Sequence, residues 1–336
     1  MKKNTSQPKV TSVEVAALAG VSRWTVSRTF TPGKPISEEA RVRVLDAAKQ
    51  LGYKPNLLAR SLSTQKTGLI AVVVDTFQNY NVMKLLDQLS FALQKNGLRA
   101  LLINVADEDS VADLVEHADQ LQTDGVIFLG ATLTGDFVSL ASNIKRIPLV
   151  IVFRDCDLPE PLVLNTDDYA AGFDIATLLV GEGAKQFAYF SGPTGMTTRV
   201  NRREGYEDGL HQLGFDLSVL LNVTNYDQFM ACDVFAGYLN TTPKHERVDA
   251  IFCENDAVAF GVIDAMRAHG CLGSIAVVGF DDIAYGASPS YQLTSYAPPV
   301  SALIDLAVQA MLRNDVARTV LKGQLVLRES HKIIAR

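Results

Sequence analysis

Two groups of residues carry chemistry that the rest of the chain must position. The first is compact: Ser22, Arg23, Trp24, Thr25, Ser27 and Arg28 lie within seven consecutive positions. Arginine offers a planar fork of donors, and hydroxyls both donate and accept. On one helix, such groups suit the edges of base pairs in a major groove, where each pair displays its own pattern. The second group is scattered. Asp75, Thr76 and Gln78, then Arg154 and Asp155, Ser191, Glu254–Asp256 and Asp281–Asp282 each follow a short apolar run. Polar residues that recur just after apolar runs point to one ligand crevice at the carboxyl ends of strands.

The elements that would hold the first group can be read locally. Thr11 followed by Glu14 is a capping-box pattern, with Val13, Ala16 and Ala17 at helical spacing behind it. Gly20 permits a tight turn, and Ser22 caps a second helix over Arg23–Thr29. Val21 and Val26 supply its inward face, which leaves Trp24 directed outward. A helix, a glycine turn and a second helix are the parts of a helix-turn-helix. Arg23 can then donate two bonds to a guanine, and Arg28 and Thr25 stand better placed for phosphates. After the loop Thr31-Pro32-Gly33-Lys34-Pro35, Ser37 caps a third helix with Glu38 and Glu39 in its first turn. Val42, Leu45, Ala48 and Leu51 form its expected apolar stripe, and Gly52 ends it. Pro55 breaks the chain. Asn56–Ser63 has the pattern of a two-turn amphipathic helix, too short to be stable alone in water. Thr64–Gly68 reads as a join.

Charge separates this head from the remainder of the chain. Residues 1–66 carry twelve Lys/Arg and four Asp/Glu, a net of +8, and the other 270 carry 19 and 33, a net of −14. A basic head on an acidic body confines contact with a polyanion to the head. From Leu69 onward, apolar runs at Leu69–Val74, Ala100–Ile103, Gly125–Leu129, Leu149–Phe153, Phe187–Phe190, Ala250–Phe252 and Ala276–Phe280 alternate with helical stretches. The helices are expected at Met83–Lys95, Ser110–Leu121, Ala170–Val180, Arg202–Leu213 and Ala257–His269. Continuous apolar strands between helices imply parallel sheets covered on both faces. The length favours two such subdomains.

Several function classes find no support. There is no phosphate-binding G-x-x-x-x-G-K-[ST], no G-x-S-x-G elbow and no G-x-G-x-x-G after a strand. His117, His211, His245, His269 and His331 lie away from the strand-end polar groups. Cys156, Cys232, Cys253 and Cys271 form no CxxC pair and read as thiols of a reduced compartment. No metal or cofactor is expected. MKKNTSQPKV has no apolar run behind it, and no stretch approaches the roughly 20 apolar residues of a membrane helix. We expect a cytoplasmic protein with no membrane partner.

The run Thr11, Val15, Ala16, Ala19, Gly20, Val21, Ser22, Thr25, Val26, Ser27, Arg28 resembles the signature of the lactose-repressor (LacI/GalR) family. Gly52-Tyr53 and Pro55-Asn56 extend the likeness. The resemblance implies an N-terminal helix-turn-helix head over 1–55 and a hinge helix with linker over 56–68. It implies, over 69–336, a periplasmic-binding-protein-like core of two doubly wound α/β subdomains. It also implies that Thr11 belongs to the DNA-binding set. So do Asn56, Ala59, which lets two hinge helices approach, and Leu62, which wedges into the minor groove. For the crevice it implies Asp75, Phe77, Phe153 and Arg154. It adds Arg202 before Gly205-Tyr206, with Arg199 and Arg203 as neighbouring competitors. It also adds Tyr226, Asn255 with Asp256 as helix cap, and Asp281 within VVGFDD.

Where the pattern departs from sugar-responsive relatives, the expectation shifts. Phe153-Arg154 stands where Asp-Arg is common, and Asn79-Tyr80-Asn81 replaces Asn-Pro-aromatic. Arg154 and Arg202 together suit an anionic ligand, so the effector is expected to be a sugar, a sugar acid or another small carboxylate. The expected partners are that small molecule, an inverted-repeat double-stranded operator and a second copy of the chain. Helix Met83–Lys95 is the expected dimer surface. No leucine heptad precedes Arg336, so a dimer is expected rather than a coiled-coil tetramer. The function expected is a transcriptional repressor under small-molecule control. The alternatives are a corepressor-dependent or activating regulator and, from another class, a solute-binding module.

Overall fold

The computed structural model describes residues 10–31, 33–55, 66–74, 77, 80–104, 120–129, 147–156, 161–193, 198–199, 201–313 and 315–334. Asn56, Ala59, Leu62, Asp75, Thr76, Gln78 and most of the helix expected over Ser110–Leu121 lie outside these residues. The chain divides into two compact units, Met1–Thr67 and Gly68–Arg336.

The first unit holds α1 (Ser12–Ala19), α2 (Arg23–Thr29) and α3 (Glu38–Leu51). Each helix starts on a polar side chain. The amide and hydroxyl of Thr11 both donate to Glu14 Oε2, at 2.7 and 2.9 Å. Ser22 Oγ accepts from the Thr25 amide at 3.1 Å, and Ser37 Oγ from the Ala40 amide at 3.3 Å. Gly20, at φ 64°, closes α1 in the left-handed conformation that glycine adopts without a Cβ clash. Val15, Ala16, Ala19, Val26, Val44, Ala47 and Ala48 form the core, edged by Phe30 and Tyr53.

The stripe on α3 differs from the one expected. Ala40, Val44, Ala47 and Ala48 are buried, whereas Val42 and Leu45 are 50% and 44% exposed. Steps of three fall about 60° short of a full turn each, so 42–45–48–51 drifts around the helix. The observed seam follows steps of four and three, and its alanines admit α1 at close range.

The second unit contains two six-stranded sheets. The first lobe uses β1 (Leu69–Val74), β2 (Arg99–Asn104), β3 (Gly125–Phe128), β4 (Leu149–Val152), β6 (Leu162–Thr166) and β13 (Thr319–Leu321). Their order is β13-β6-β4-β3-β1-β2, parallel throughout. The second lobe uses β7 (Phe187–Ser191), β9 (Leu217–Asn222), β10 (Ala250–Cys253), β11 (Ala276–Phe280), β12 (Thr294–Ala297) and β14 (Gln324–Val326). Their order is β14-β12-β11-β10-β7-β9, with only β14 antiparallel. Six of the seven apolar runs became central strands, which are buried along nearly their whole length, and the seventh, Ala100–Ile103, became the mostly exposed edge strand β2. The strands that no apolar run announced are of a different kind. β9 alternates half-buried with exposed residues, and β12 reads TSYA.

Helices α4 (Tyr80–Lys95) and α9 (Val300–Arg313) cover one face of the first sheet and share its core with β1 and β4. In the second lobe, α5 (Asp168–Gly181) and α6 (Arg202–Gln212) lie on one face, and α7 (Gln228–Thr241) and α8 (Asp256–Ala268) on the other. The chain passes between lobes three times: from β6 to α5, from β12 to α9 and from β13 to β14. Among the described residues, no helix is long and apolar enough to cross a membrane.

One close approach positions the site. A Cβ on Gly205 would lie 1.9 Å from the Tyr169 carbonyl oxygen, and one on Gly172 would lie 2.1 Å from that of Arg202. Bare glycines therefore let the first turns of α5 and α6 touch backbone to backbone. That contact sets Asp168, at the head of α5, beside Arg202, at the head of α6. Tyr206, one turn after Arg202, is locked between Tyr189 and Phe252 with ring centroids 6.3 and 5.4 Å away. Gly205→Ala should destabilise the fold by about 1–3 kcal/mol through overpacking. Thermal unfolding should fall by about 2–4 °C for each kcal/mol lost. An unchanged transition would mean that the two helices do not pack this closely.

Candidate functional site

The exposed face of α2 is built from its cap outward. Ser22 Oγ and Thr25 Oγ1 lie 3.0 Å apart, so both hydroxyls are engaged at the start of the helix. Val26 is buried and Arg23, Trp24 and Ser27 face outward. Trp24 is 63% exposed. The Arg28 guanidinium carbon lies 3.6 Å from its ring centroid, and Arg28 Nη1 donates to the Pro35 carbonyl at 3.1 Å. A cation on an exposed indole contributes about 0.5–1 kcal/mol, enough to bias the ring toward one orientation. Arg28 thus contacts the Trp24 ring and the Pro35 carbonyl, and Trp24 forms a flat plate beside Arg23 and Ser27. Thr11 is exposed ahead of α1 and tied to Glu14.

The crevice is built where strands of the two lobes end. In the first lobe, Phe153 follows β4 at φ 66°. That left-handed conformation costs a non-glycine residue about 1–2 kcal/mol. Phe153 packs against the first-lobe core, and the next residue, Arg154, reaches the other lobe. Arg154 Nη2 donates to the Tyr226 hydroxyl at 3.1 Å. Tyr226 in turn donates to Glu254 Oε1, and Tyr189 to Glu254 Oε2 at 2.9 Å. Arg202 completes the wall. Its Nε donates to Asp168 Oδ1 at 2.8 Å and its Nη1 to the Glu254 carbonyl at 2.7 Å. The face of its guanidinium lies over the Phe280 ring, 3.3 Å from the centroid.

Asp281 follows β11 at φ 111°, its amide bonded to the Tyr296 carbonyl at 2.9 Å. Lys84, from α4 of the first lobe, donates Nζ to the carbonyls of Asp281 and Asp282, at 3.2 and 2.9 Å. A third bridge between lobes is the short antiparallel pair of β5 (Asp155–Cys156) and β8 (Thr198–Arg199).

The electrostatics of this wall follow from its burial. Burial pushes the Asp281 carboxyl up to about 7, against the pull of Arg202, Lys84 and Arg154. Burial also raises Asp168, opposed mainly by Arg202. For Arg202, burial works against the charge, but Asp168 and Asp281 more than offset it and its pKa is raised. The Tyr226 phenol is raised by burial, with Arg154 opposing and Glu254 adding, so it stays a donor at neutral pH. Asp168, Glu254 and Asp281 therefore face Arg154, Arg202 and Lys84, three acids against three bases. Two arginines had suggested a cationic pocket for an anion. Instead, Arg202 has its own carboxylate, and Arg154 reaches one through Tyr226.

Of the residues expected in the crevice, Arg154, Arg202, Tyr226 and Asp281 come together. Arg203 pairs with Glu207 at the surface at 2.8 Å, and Arg202 is the arginine that turns inward. Phe77 is 40% exposed just past β1, and Asp75 lies outside the described residues. Asn255 Oδ1 accepts the Val258 amide at 2.9 Å and caps α8. The expected cap, Asp256, is already the first helical residue, because α8 begins one position earlier than its apolar pattern. Asp256 is buried and accepts from the Ile283 amide at 2.9 Å and Ser295 Oγ at 2.6 Å, fixing the loop that carries Asp281.

Four members of the wall were missed. Glu254 stood among the strand-end polar residues without a role. Asp168 had a readable signal, since Asp167 caps α5 by accepting the Ala170 amide at 2.9 Å and leaves the second acid free to turn inward. Tyr189 hides inside an apolar run, and Lys84 sits on a helix far away in sequence.

Both units of the chain resemble known proteins. Residues 66–293 match the family described as periplasmic binding proteins and sugar binding domain of the LacI family. Residues 13–56 match the bacterial regulatory proteins of the lacI family. The HTH-type transcriptional regulator RegA of Clostridium saccharobutylicum is 26% identical over 328 residues, 94% of this chain and 98% of that protein. The lac repressor dimer bound to operator and the anti-inducer ONPF superposes with a TM-score of 0.85 at 20% identity, covering 96% and 99% of the two chains. The complex of the transcriptional regulator CelR with cellobiose gives 0.70 at 25% identity, covering 96% and 100%. A capped recognition helix on a basic head and a two-lobed core with a polar crevice thus occur here in one chain, which belongs to the LacI family of DNA-binding bacterial transcription regulators.

Proposed function

We propose that this regulator is a cytoplasmic homodimeric repressor whose hold on an inverted-repeat operator is changed by a neutral sugar in the crevice. The head, residues 1–55, sets α2 in a major groove, with Arg23, Trp24 and Ser27 at base edges and Ser22 and Thr25 at its start. The hinge and linker, residues 56–68, bring Asn56, Ala59 and Leu62 to the central minor groove. The core, residues 69–336, takes the ligand and the second copy. Tyr80, Met83 and Phe91 support this dimer: all three are large apolar residues exposed along α4. No turnover of the ligand is expected.

The observation that carries the choice of ligand is the balanced wall. Hydroxyls donate to carboxylates and accept from guanidinium groups, so a polyol can bond to both without adding charge. A carboxylate ligand would compete with Asp168 for Arg202, or with the Tyr226 hydroxyl for Arg154. That CelR is known in complex with cellobiose supports the same chemistry.

Selection of duplexes from genomic fragments by the purified full-length protein should enrich a near-palindromic site. Its affinity should fall by about a thousandfold or more between 50 and 200 mM salt, as for a protein that neutralises six or more phosphates. No enrichment, with or without added sugars, would count against a sequence-reading regulator. Calorimetry should find a neutral mono- or disaccharide that binds while gluconate does not. Tighter binding of the acid would restore the anionic reading.

The pH dependence has a definite sign. Asp281 is raised to about 7 in the folded core, so its contribution to stability is greatest in acid and is lost as pH rises through 7. A sugar hydroxyl donating to Asp281 favours the ionised form. Sugar affinity should therefore rise between pH 6 and 8 with release of a proton, and Asp281→Asn should remove that slope. A slope unchanged in Asp281→Asn would assign the proton to another group.

A further inference from the structure

The contact between Trp24 and Arg28 says more than that α2 meets DNA. Trp24 is the only tryptophan of the chain and lies in the first turn of α2, 63% exposed on a helix whose inward face is already filled by Val26. Its ring makes no hydrophobic core. A large apolar plate held out in water is placed to cover something apolar on a partner. Its orientation is biased by Arg28, whose guanidinium lies on the ring and whose Nη1 is anchored on the Pro35 carbonyl. Arg28 thereby supports the ring, and the flat apolar surface beside Arg23 is the projecting feature of the helix.

In a major groove, the apolar group that distinguishes one base pair from the others is the 5-methyl of thymine. The indole is otherwise a donor only, through Nε1, and thymine O4 and guanine O6 or N7 are acceptors there. The geometry points to Trp24 as a thymine reader, its ring packed on the 5-methyl group with Arg28 as positioning residue, and Arg23 as the donor that reads a neighbouring guanine. This rests on α2 entering the major groove, as proposed above. It predicts that each half-site contains a thymine whose methyl group is recognised.

The test uses the full-length protein and the duplex enriched by selection. Each thymine is replaced in turn by 2′-deoxyuridine, which deletes the methyl and leaves base pairing intact. One replacement per half-site should weaken binding about fourfold, the effect of one buried methyl group. In Trp24→Ala, overall affinity for the site should fall and the same replacement should change nothing. Trp24→Phe should keep part of the methyl effect, and Arg28→Ala should reduce it by freeing the ring. Emission from the sole tryptophan should change when the thymine duplex binds, and less so with the uracil duplex. Deoxyuridine tolerated at every position would overturn the proposal while leaving DNA binding intact. So would a methyl effect of equal size in Trp24→Ala. Failure to enrich any duplex would overturn it together with the regulator reading.

Discussion

Arg202 is a guanidinium removed from water, and a buried charge persists only where its partners match it closely. Asp168 supplies the opposite charge, the Glu254 carbonyl a second acceptor and Phe280 a face to lie on. Each partner sits on a different element, so the match holds only if those elements keep their places. Asp168 heads α5 just after the chain has left the first lobe, Glu254 follows β10, and Phe280 ends β11. Gly172 and Gly205 make the α5–α6 contact close enough for the ion pair to form. The requirement of one side chain thus ties a crossing point between lobes to two strand ends and two helix ends.

From this anchor, the crevice extends by hydrogen bonds rather than by apolar packing. Glu254 gathers the two tyrosines, Tyr226 passes the connection to Arg154, and Arg154 belongs to the other lobe. Lys84 makes a separate link by donating to two backbone carbonyls beside Asp281. The lobes are therefore joined by groups that a ligand's hydroxyls can imitate. A molecule entering the crevice exchanges some of these bonds for its own, and any difference in that exchange between two lobe arrangements shifts the balance between them. Coupling to the head then requires that the two arrangements also differ in affinity for DNA, and the affinity for each partner depends on the other.

Much of this architecture was legible in the sequence because it rests on local signals. The caps at Thr11, Ser22 and Ser37, the glycine turn and the basic charge defined the head. Unbroken apolar runs marked the central strands. Two strands of the second sheet were not legible: β9, at its edge, alternates like a half-exposed strand, and β12, inside it, has too little apolar length to stand out. Within the site, residues adjacent to strand ends were found and those arriving from elsewhere were not. Lys84 and Asp168 reach the crevice through tertiary packing that no spacing announces. Charge was only partly legible for the same reason: two arginines are visible in sequence, but which carboxylates lie beside them is decided by the fold.

The central claim is that the crevice and the DNA-reading head are energetically linked through one chain. The direct measurement is calorimetric titration of the sugar selected by binding, carried out with the free full-length protein and again with the protein saturated by its operator duplex. The account predicts that the sugar dissociation constant differs between the two titrations. The factor should equal that by which the sugar changes operator affinity, as reciprocity requires. Equal sugar affinity with and without operator would contradict it, and would leave a sugar-binding core and a DNA-binding head that share a chain without sharing a mechanism.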